Sequence, residues 1–194
     1  MTTVGVLALQ GAFTKHIEVL NSLGVNAIEV RKPEELALCA GVIIPGGEST
    51  TIMKQITFIK LAQALHSFAL EKPVFGTCAG LILISKEIIG DSMKPFNLID
   101  LSVERNAFGR QVESFHTSIE VNFPKTHSRQ VEAIFIRAPR IRKVGPEVQI
   151  LASYEEEPVF VQQGHHLGAT FHPELTSDPA IHKYFIKIIE GMHR

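Results

Sequence analysis

Pro73-Val-Phe-Gly-Thr-Cys-Ala-Gly-Leu-Ile-Leu83 sets one cysteine between two glycines, with an apolar run on either side. Val74-Phe75 has strand character and runs straight into Cys78, and Ala79–Ile88 reads as helical. Gly76-x-Cys78-x-Gly80 between a strand and a helix has the form of a nucleophile elbow, more often built on serine. Such a turn strains the backbone of its central residue, and its neighbours approach too closely for a Cβ. The helix start offers a dipole and unpaired N–H groups to a thiolate. The Ala79 N–H is also placed to face an oxyanion on whatever Cys78 attacks. A buried structural cysteine at a tight turn would be spelled the same way, so the surrounding chain has to decide.

Upstream, short apolar runs alternate with helical spacing. Val4–Leu9, Ala27–Val30 and Gly41–Pro45 read as strands, the third buried on both faces. Phe13, Ile17, Leu20 and Leu23 recur at helical spacing before Gly24, and one long helix is expected from about Ser49 to Leu70. Downstream, from Asn97 to Phe171, the texture becomes short and β-rich: Leu98–Val103, Ser118–Val121, Ala133–Ile136, Gln149–Ser153, Val159–Gln163 and Leu167–Phe171. These suit antiparallel strands added to the sheet. Asp178-Pro179 caps a closing helix whose apolar face is Ile181, Phe185, Ile188 and Ile189. The expected fold is α/β: a three-layer, open, mostly parallel sheet with flanking helices and added antiparallel strands, in one domain over 1–194.

The totals narrow the function. With 194 residues the chain can bury a sizeable core, and 45% hydrophobic with 20% charged residues is ordinary for a globular protein. A net charge of −1 argues against general attraction to nucleic acid or anionic membrane. Glu155-Glu156-Glu157, before a proline, reads as a solvated turn. Two cysteines, Cys39 and Cys78, make neither a disulfide framework nor a Cys-x-x-Cys metal site, and Cys39 is assigned to the core. There is no signal-peptide pattern and no apolar run near the ~18 residues of a membrane helix. A reducing compartment, the cytoplasm, is expected, with no metal and no cofactor.

A nucleophilic cysteine needs a base. In Thr170-Phe-His-Pro-Glu-Leu175, His172 ends a strand and Pro173 stops further ladder pairing. Residues two apart on extended chain point the same way, so Glu174 can bind the Nδ1–H of His172 and leave Nε2 for the thiol. A surface turn is the bland alternative. His165-His166 has no acid two residues on and reads as a hairpin turn. Pro45-Gly-Gly-Glu-Ser-Thr50, at the end of a parallel strand, can turn backbone N–H groups toward a substrate oxygen. It lacks the Gly-Lys-Ser/Thr ending of a phosphate-binding loop, and without other evidence it is a turn before a helix cap.

Loop, cysteine elbow and His-Pro-Glu, in that order, resemble the class I (triad) glutamine amidotransferases. Gly5-Val-Leu-Ala-Leu-Gln-Gly11, Pro45-Gly-Gly-Glu-Ser-Thr50, Gly76-Thr-Cys-Ala-Gly80, Arg105-Asn-Ala-Phe-Gly-Arg-Gln111, Phe135-Ile-Arg-Ala-Pro139 and His172-Pro-Glu-Leu175 are similar to the glutaminase subunits of pyridoxal 5′-phosphate synthases, over almost the whole chain. Many class I enzymes carry glutamine four residues after the nucleophile; Ile82 stands there, as in this subfamily.

The resemblance implies hydrolysis of L-glutamine through a Cys78 thioester, with His172 as acid and base and Glu174 orienting it. It implies an oxyanion hole from the Gly47 and Ala79 N–H groups. It also places Gly46, Gly47, Glu48, Arg105, Ile136 and Arg137 around the glutamine, with individual roles open. The ammonia would pass to a (β/α)8-barrel synthase subunit in a large hetero-oligomer making pyridoxal 5′-phosphate. Gln10-Gly11 is an interface candidate on the same analogy, and the Gly46-Gly47 peptide is expected to reorient on docking. The alternatives are the glutaminase subunit of another amidotransferase, such as imidazole glycerol phosphate synthase, and a non-catalytic interaction module.

Overall fold

The computed structural model describes residues 2–105 and 114–192. Its first half alternates strand and helix: β1 (Thr3–Leu7), α1 (Phe13–Ser22), β2 (Asn26–Val30), α2 (Pro33–Ala37), β3 (Gly41–Ile44), α3 (Ser49–Phe58), α4 (Leu61–Glu71), β4 (Val74–Thr77) and α5 (Ala79–Ile84). The second half is mostly strand: β5 (Glu87–Ile88), β6 (Leu101–Glu104), β7 (Ser114–Val121), β8 (Arg129–Ile136), β9 (Arg140–Val144), β10 (Gln149–Tyr154), β11 (Glu157–Gln163) and β12 (His166–Ala169). Helix α6 (Ala180–Gly191) closes the chain.

Seven strands form the central sheet in the order β10-β11-β12-β4-β3-β1-β2. Strands β2, β1, β3, β4 and β12 are parallel, and β10 and β11 are added antiparallel at one edge. Side chains along each strand alternate between two cores. Val42 and Ile44 face one with Ile52, Leu65 and Leu83; Ile43 faces the other with Leu20, Ile181 and Phe185. That period of two, with helices α2–α5 on one face and α1 and α6 on the other, makes the three layers.

Several boundaries differ from the sequence expectation. The helix expected over Ser49–Leu70 is two helices, because Lys60 takes a left-handed conformation (φ 57°) between them. The helix after Cys78 stops at Ile84: Ser85 turns extended, and Glu87-Ile88 pair with β6 instead. Tertiary pairing there overrides local preference.

The β-rich segments do not all join the central sheet. Strands β5, β6 and β9 make one small sheet, β7 and β8 another, and β12 is a parallel member of the main sheet. Strand β9 and helix α2 were not foreseen. The signal for α2 was present, since Pro33 opens it and the Glu35 carboxylate accepts from the Arg31 and Lys32 N–H groups. Glu155 and Glu156, both at positive φ, turn the β10–β11 hairpin. Asp178 lies one residue before the helical N-cap, yet its carboxylate accepts from the Ala180 N–H at 3.0 Å. Among the described residues no helix is long and apolar enough to cross a membrane.

Candidate active site

The site follows from strand order. Strands β12, β4, β3 and β1 are parallel neighbours, so their C-terminal ends open on one edge of the sheet. The chain leaves those ends through Phe171-His172, Cys78, Pro45-Gly46-Gly47 and Gln10-Gly11 respectively. Such an edge is where open α/β sheets bind ligands. The corner between β8 and β9 brings Ile136 and Arg137 over the same opening, and Arg105 follows β6.

Cys78 is the N-cap of α5 at φ 49°, ψ −105°, outside the allowed regions for an L-residue, and it is 7% exposed. Its own N–H is tied to the Ala169 carbonyl at 2.8 Å, which fixes the elbow to β12. The flanking glycines are required by packing. A Cβ on Gly76 would lie 2.5 Å from the Gly80 carbonyl group, and one on Gly80 would lie 1.9 Å from the Ile44 carbonyl oxygen. No side chain caps α5, so its first N–H groups have no side-chain partner, and Ala79 lines the cavity. Cys39 is the contrast: it is buried, its Sγ lies against the Glu35 carbonyl, and burial pushes its thiol up to about 11.

His172 Nδ1 lies 2.7 Å from Glu174 Oε1, which leaves Nε2 for Cys78. The residues between them form a single 3-10 turn, Pro173–Leu175, rather than extended chain. Burial works against a charge on His172. Hydrogen bonds to Cys78 and Glu174, reinforced by their charges, outweigh it and push the imidazole up to about 10. Burial likewise opposes the Glu174 charge, but His16 and then His172 hold its carboxyl below the usual range. The result is a line of groups, Cys78–His172–Glu174, with the carboxylate 3% exposed behind the ring.

In front of this line lies a cavity of about 360 Å³. Cys78, His172, Ala79, Gly46, Gly47 and Glu48 line it, as do Arg105, Ile136 and Arg137. Glu174 alone of the expected site residues does not. Gly46 is squeezed between the two reactive side chains: a Cβ there would sit 2.3 Å from His172 Cε1 and 3.2 Å from Cys78 Cβ. The carbonyl of Ile136 lies 3.9 Å from Cys78 Sγ.

The two arginines are engaged differently. Arg105 donates to the Ser49 and Thr50 hydroxyls at 3.0 and 2.9 Å and pairs with Asp91. Arg137 sits in left-handed conformation (φ 43°), exposed, with no ion-pair partner among the described residues. The Glu48 carboxylate is committed to capping α3, accepting from the Thr50 and Thr51 N–H groups and the Thr51 hydroxyl. Burial opposes its charge, and those bonds hold it below the usual carboxylate range. Residues 106–111 of the Arg105–Gln111 motif lie outside the described residues.

Some participants were missed. Gln10 Oε1 accepts from the Glu48 N–H at 3.0 Å, and a Cβ on Gly11 would meet the Gly46 oxygen at 1.7 Å, so the β1 loop props the Gly-Gly loop. Asp91 holds Arg105, and His16 reaches Glu174 from behind. His166 is no turn residue but a buried strand residue whose Nδ1 accepts from the Val74 N–H.

A strained cysteine at the head of a helix, a histidine–carboxylate pair just beyond the neighbouring strand and a glycine loop on the other side meet at one opening on the edge of a parallel sheet. The chain belongs to the SNO glutamine amidotransferase family, whose model matches residues 6–191. It is 48% identical over 188 residues to the pyridoxal 5′-phosphate synthase subunit PdxT of Desulforamulus reducens, covering 96% of this chain and 99% of that one. It is 45% identical over 188 residues to the subunit of the same name from Thermotoga petrophila, covering 96% and 99%. A crystal structure of a glutamine amidotransferase superposes with a TM-score of 0.90 at 44% identity, covering 96% of this chain and 98% of that one. At 18% identity, a putative GMP synthase protein from Thermoplasma acidophilum shares the fold, with a TM-score of 0.74 and coverage of 100% and 96%.

Proposed function

We propose that this chain, as one domain over 1–194, hydrolyses L-glutamine to L-glutamate and ammonia and supplies the ammonia to the synthase subunit of a pyridoxal 5′-phosphate synthase. The observation that carries the reading is Cys78 and His172 on the wall of one cavity, with the Glu174 carboxylate bound to the imidazole from behind. The near-full-length similarity to subunits of that synthase supports the acceptor.

The chemistry follows from the charges. With His172 held protonated, the Cys78 thiolate attacks the carboxamide carbon of glutamine. The carbonyl electrons move to oxygen, where the Gly47 and Ala79 N–H groups receive them, each worth ~3 kcal/mol in the transition state. The C–N bond breaks as His172 gives its proton to the departing nitrogen, releasing ammonia and leaving a glutamyl thioester.

Acylation removes the thiolate, and with it much of what held His172 charged, so the imidazole becomes a base. It takes a proton from water, whose hydroxyl attacks the thioester. Glutamate leaves, and the thiolate–imidazolium pair is restored. Glu174 keeps the ring turned correctly throughout. Arg137, uncommitted and facing the cavity, is assigned to the α-carboxylate of glutamine. Arg105, tied to Ser49, Thr50 and Asp91, braces the loop, and Glu48 acts by shaping the Gly46-Gly47 turn.

Ammonia released to water is protonated and lost as a nucleophile, so the cavity mouth needs a cover. The cover proposed is the (β/α)8-barrel synthase subunit in a cytoplasmic hetero-oligomer, docking beside Gln10-Gly11, where contact bears directly on Gly46 and Gly47. The test is glutamate release with and without a pyridoxal-phosphate synthase subunit, with Cys78→Ala as control. Stimulation that vanishes in the variant is expected. Equal turnover with and without the synthase would remove the loop-reorientation idea, and no turnover in either case would move the acceptor to another amidotransferase system or leave a non-catalytic module.

A further inference from the structure

Behind Glu174 the polar contacts continue into a region where the glutaminase mechanism asks for nothing. Glu174 Oε2 makes no well-formed hydrogen bond among the described residues; its near neighbour is His16 Nε2 at 3.3 Å. His16 Nδ1 lies 2.9 Å from His182 Nε2, and Thr77 Oγ1 lies 3.3 Å from His16 Nε2. Both histidines are wholly buried, one on α1 and one on α6, and their rings pack with centroids 5.1 Å apart. His182 Nδ1 has no hydrogen-bond partner among the described residues.

Two histidines buried next to an apolar core without a task would be an expensive arrangement, because neither ring can satisfy both nitrogens cheaply. The proton positions are fixed by the carboxylate. His16 Nε2 lies 3.3 Å from both Glu174 Oε2 and Thr77 Oγ1. A bare nitrogen there would set a lone pair against the carboxylate, so we assign the His16 proton to Nε2, with the Thr77 oxygen as its second acceptor. His16 Nδ1 is then an acceptor, and His182 must donate to it from Nε2. That leaves His182 Nδ1 as a bare acceptor, which agrees with its lack of a partner. His182 then donates to His16, and the His16 Nε2–H sits between the Glu174 carboxylate and the Thr77 hydroxyl oxygen.

We propose that His16, with its tautomer set by His182, is a positioning residue that holds Oε2 of Glu174 so that Oε1 stays on His172 Nδ1. A carboxylate anchored only through the His172 bond could rotate about its last torsion and release the ring. With His16 on one oxygen and His172 on the other, it cannot do so without breaking both contacts. Burial keeps His16 below the ordinary imidazole range despite the Glu174 charge, with His172 adding to the lowering, so it acts as a neutral donor. The inference rests on the glutaminase reading for the role of Glu174, but not for the direction of the hydrogen bonds.

Two measurements test it. In nitrogen–proton NMR of the wild-type protein, His16 is expected as the Nε2–H tautomer; a proton on Nδ1 would overturn the proposal whatever the activity. In the glutaminase assay with synthase, His16→Leu should lower kcat roughly 10- to 100-fold, the scale for losing a group that orients a catalytic partner. KM for glutamine should not move, because His16 does not line the cavity. His16→Gln, whose amide nitrogen can take the place of Nε2, should restore most of the rate. Wild-type turnover in His16→Leu, or equal loss in both variants, would reduce His16 to a packing residue. A wild-type complex that releases no glutamate would count against the glutaminase reading alone, with the tautomer measurement still judging the hydrogen-bond chain.

Discussion

The sheet edge and the layer behind it hold histidines of the same burial in opposite states. His172, 7% exposed, is pushed up to about 10, whereas His182, wholly buried, is brought down to about 3 and His166, 9% exposed, to about 4. Burial lowers all three. The difference is the partner. His172 has Cys78 and the Glu174 carboxylate beside it, and their combined hydrogen bonds and charges exceed the cost of leaving water. His182 faces His16 and feels Glu174 only at a distance, and His166 sits beside His165 with only backbone contacts to help it. A buried imidazole is therefore not a pH switch by burial alone; two charges a few ångströms away decide its state.

The strongest way to break this contrast is to remove one of those charges. Glu174→Gln keeps the shape but takes away the carboxylate. It is expected to lower glutaminase kcat/KM by roughly 10²- to 10⁴-fold, the range for disabling acid–base catalysis. The same variant should bring the His172 imidazole down in an NMR titration. An unchanged titration would mean that Cys78 alone holds the proton, and the carboxylate would lose its assigned role.

The neutral side is sharpened by acid. His16, His166 and His182 have folded-state pKa values below the ordinary 6.5, so the unfolded chain binds protons that the folded chain refuses. Their contribution is present above about pH 6.5 and is lost as pH falls below it. With up to three extra protons taken up on unfolding, the slope reaches at most about 4 kcal/mol per pH unit between pH 6 and 4. His172 has the opposite sign: its contribution is full below about 6.5 and drains away as pH rises toward about 10. Denaturant melts across pH 4–10 should show both limbs. A flat acid limb would mean that the three buried histidines titrate as in the unfolded chain.

This contrast also marks what could be read from the sequence. The edge was legible because its residues are local in the chain: a glycine-flanked cysteine, a His-Pro-Glu turn and a Gly-Gly loop each announce a backbone demand. The strand alternation then dictated which ends would meet. The layer behind was not legible, because His16 and His182 are 166 positions apart and each reads as a polar residue in a helix's apolar stripe. Pattern locates such a residue on the buried face but cannot name its partner. The same limit explains β5 and β9. Glu87-Ile88 and Arg140–Val144 are strands because they flank β6, a pairing set by distant chain. Lys60 gave no warning of the break between α3 and α4, since lysine is an ordinary helix former.

The smallest effect isolates one member of the neutral set. His166 Nδ1 accepts from the Val74 N–H at 3.2 Å, inside the parallel part of the sheet. His166→Asn can offer its side-chain oxygen at about the same place, so the N–H need not be orphaned, but it carries no titratable group. The variant should keep its glutaminase rate, since His166 neither lines the cavity nor touches Glu174. Its acid limb should be shallower by up to about 1.4 kcal/mol per pH unit, the share of one proton. If the limb stays as steep, the missing proton belongs elsewhere, and His16 and His182 must carry the acid sensitivity between them. Then the line behind Glu174 would set the acid tolerance of the fold as well as the aim of the carboxylate.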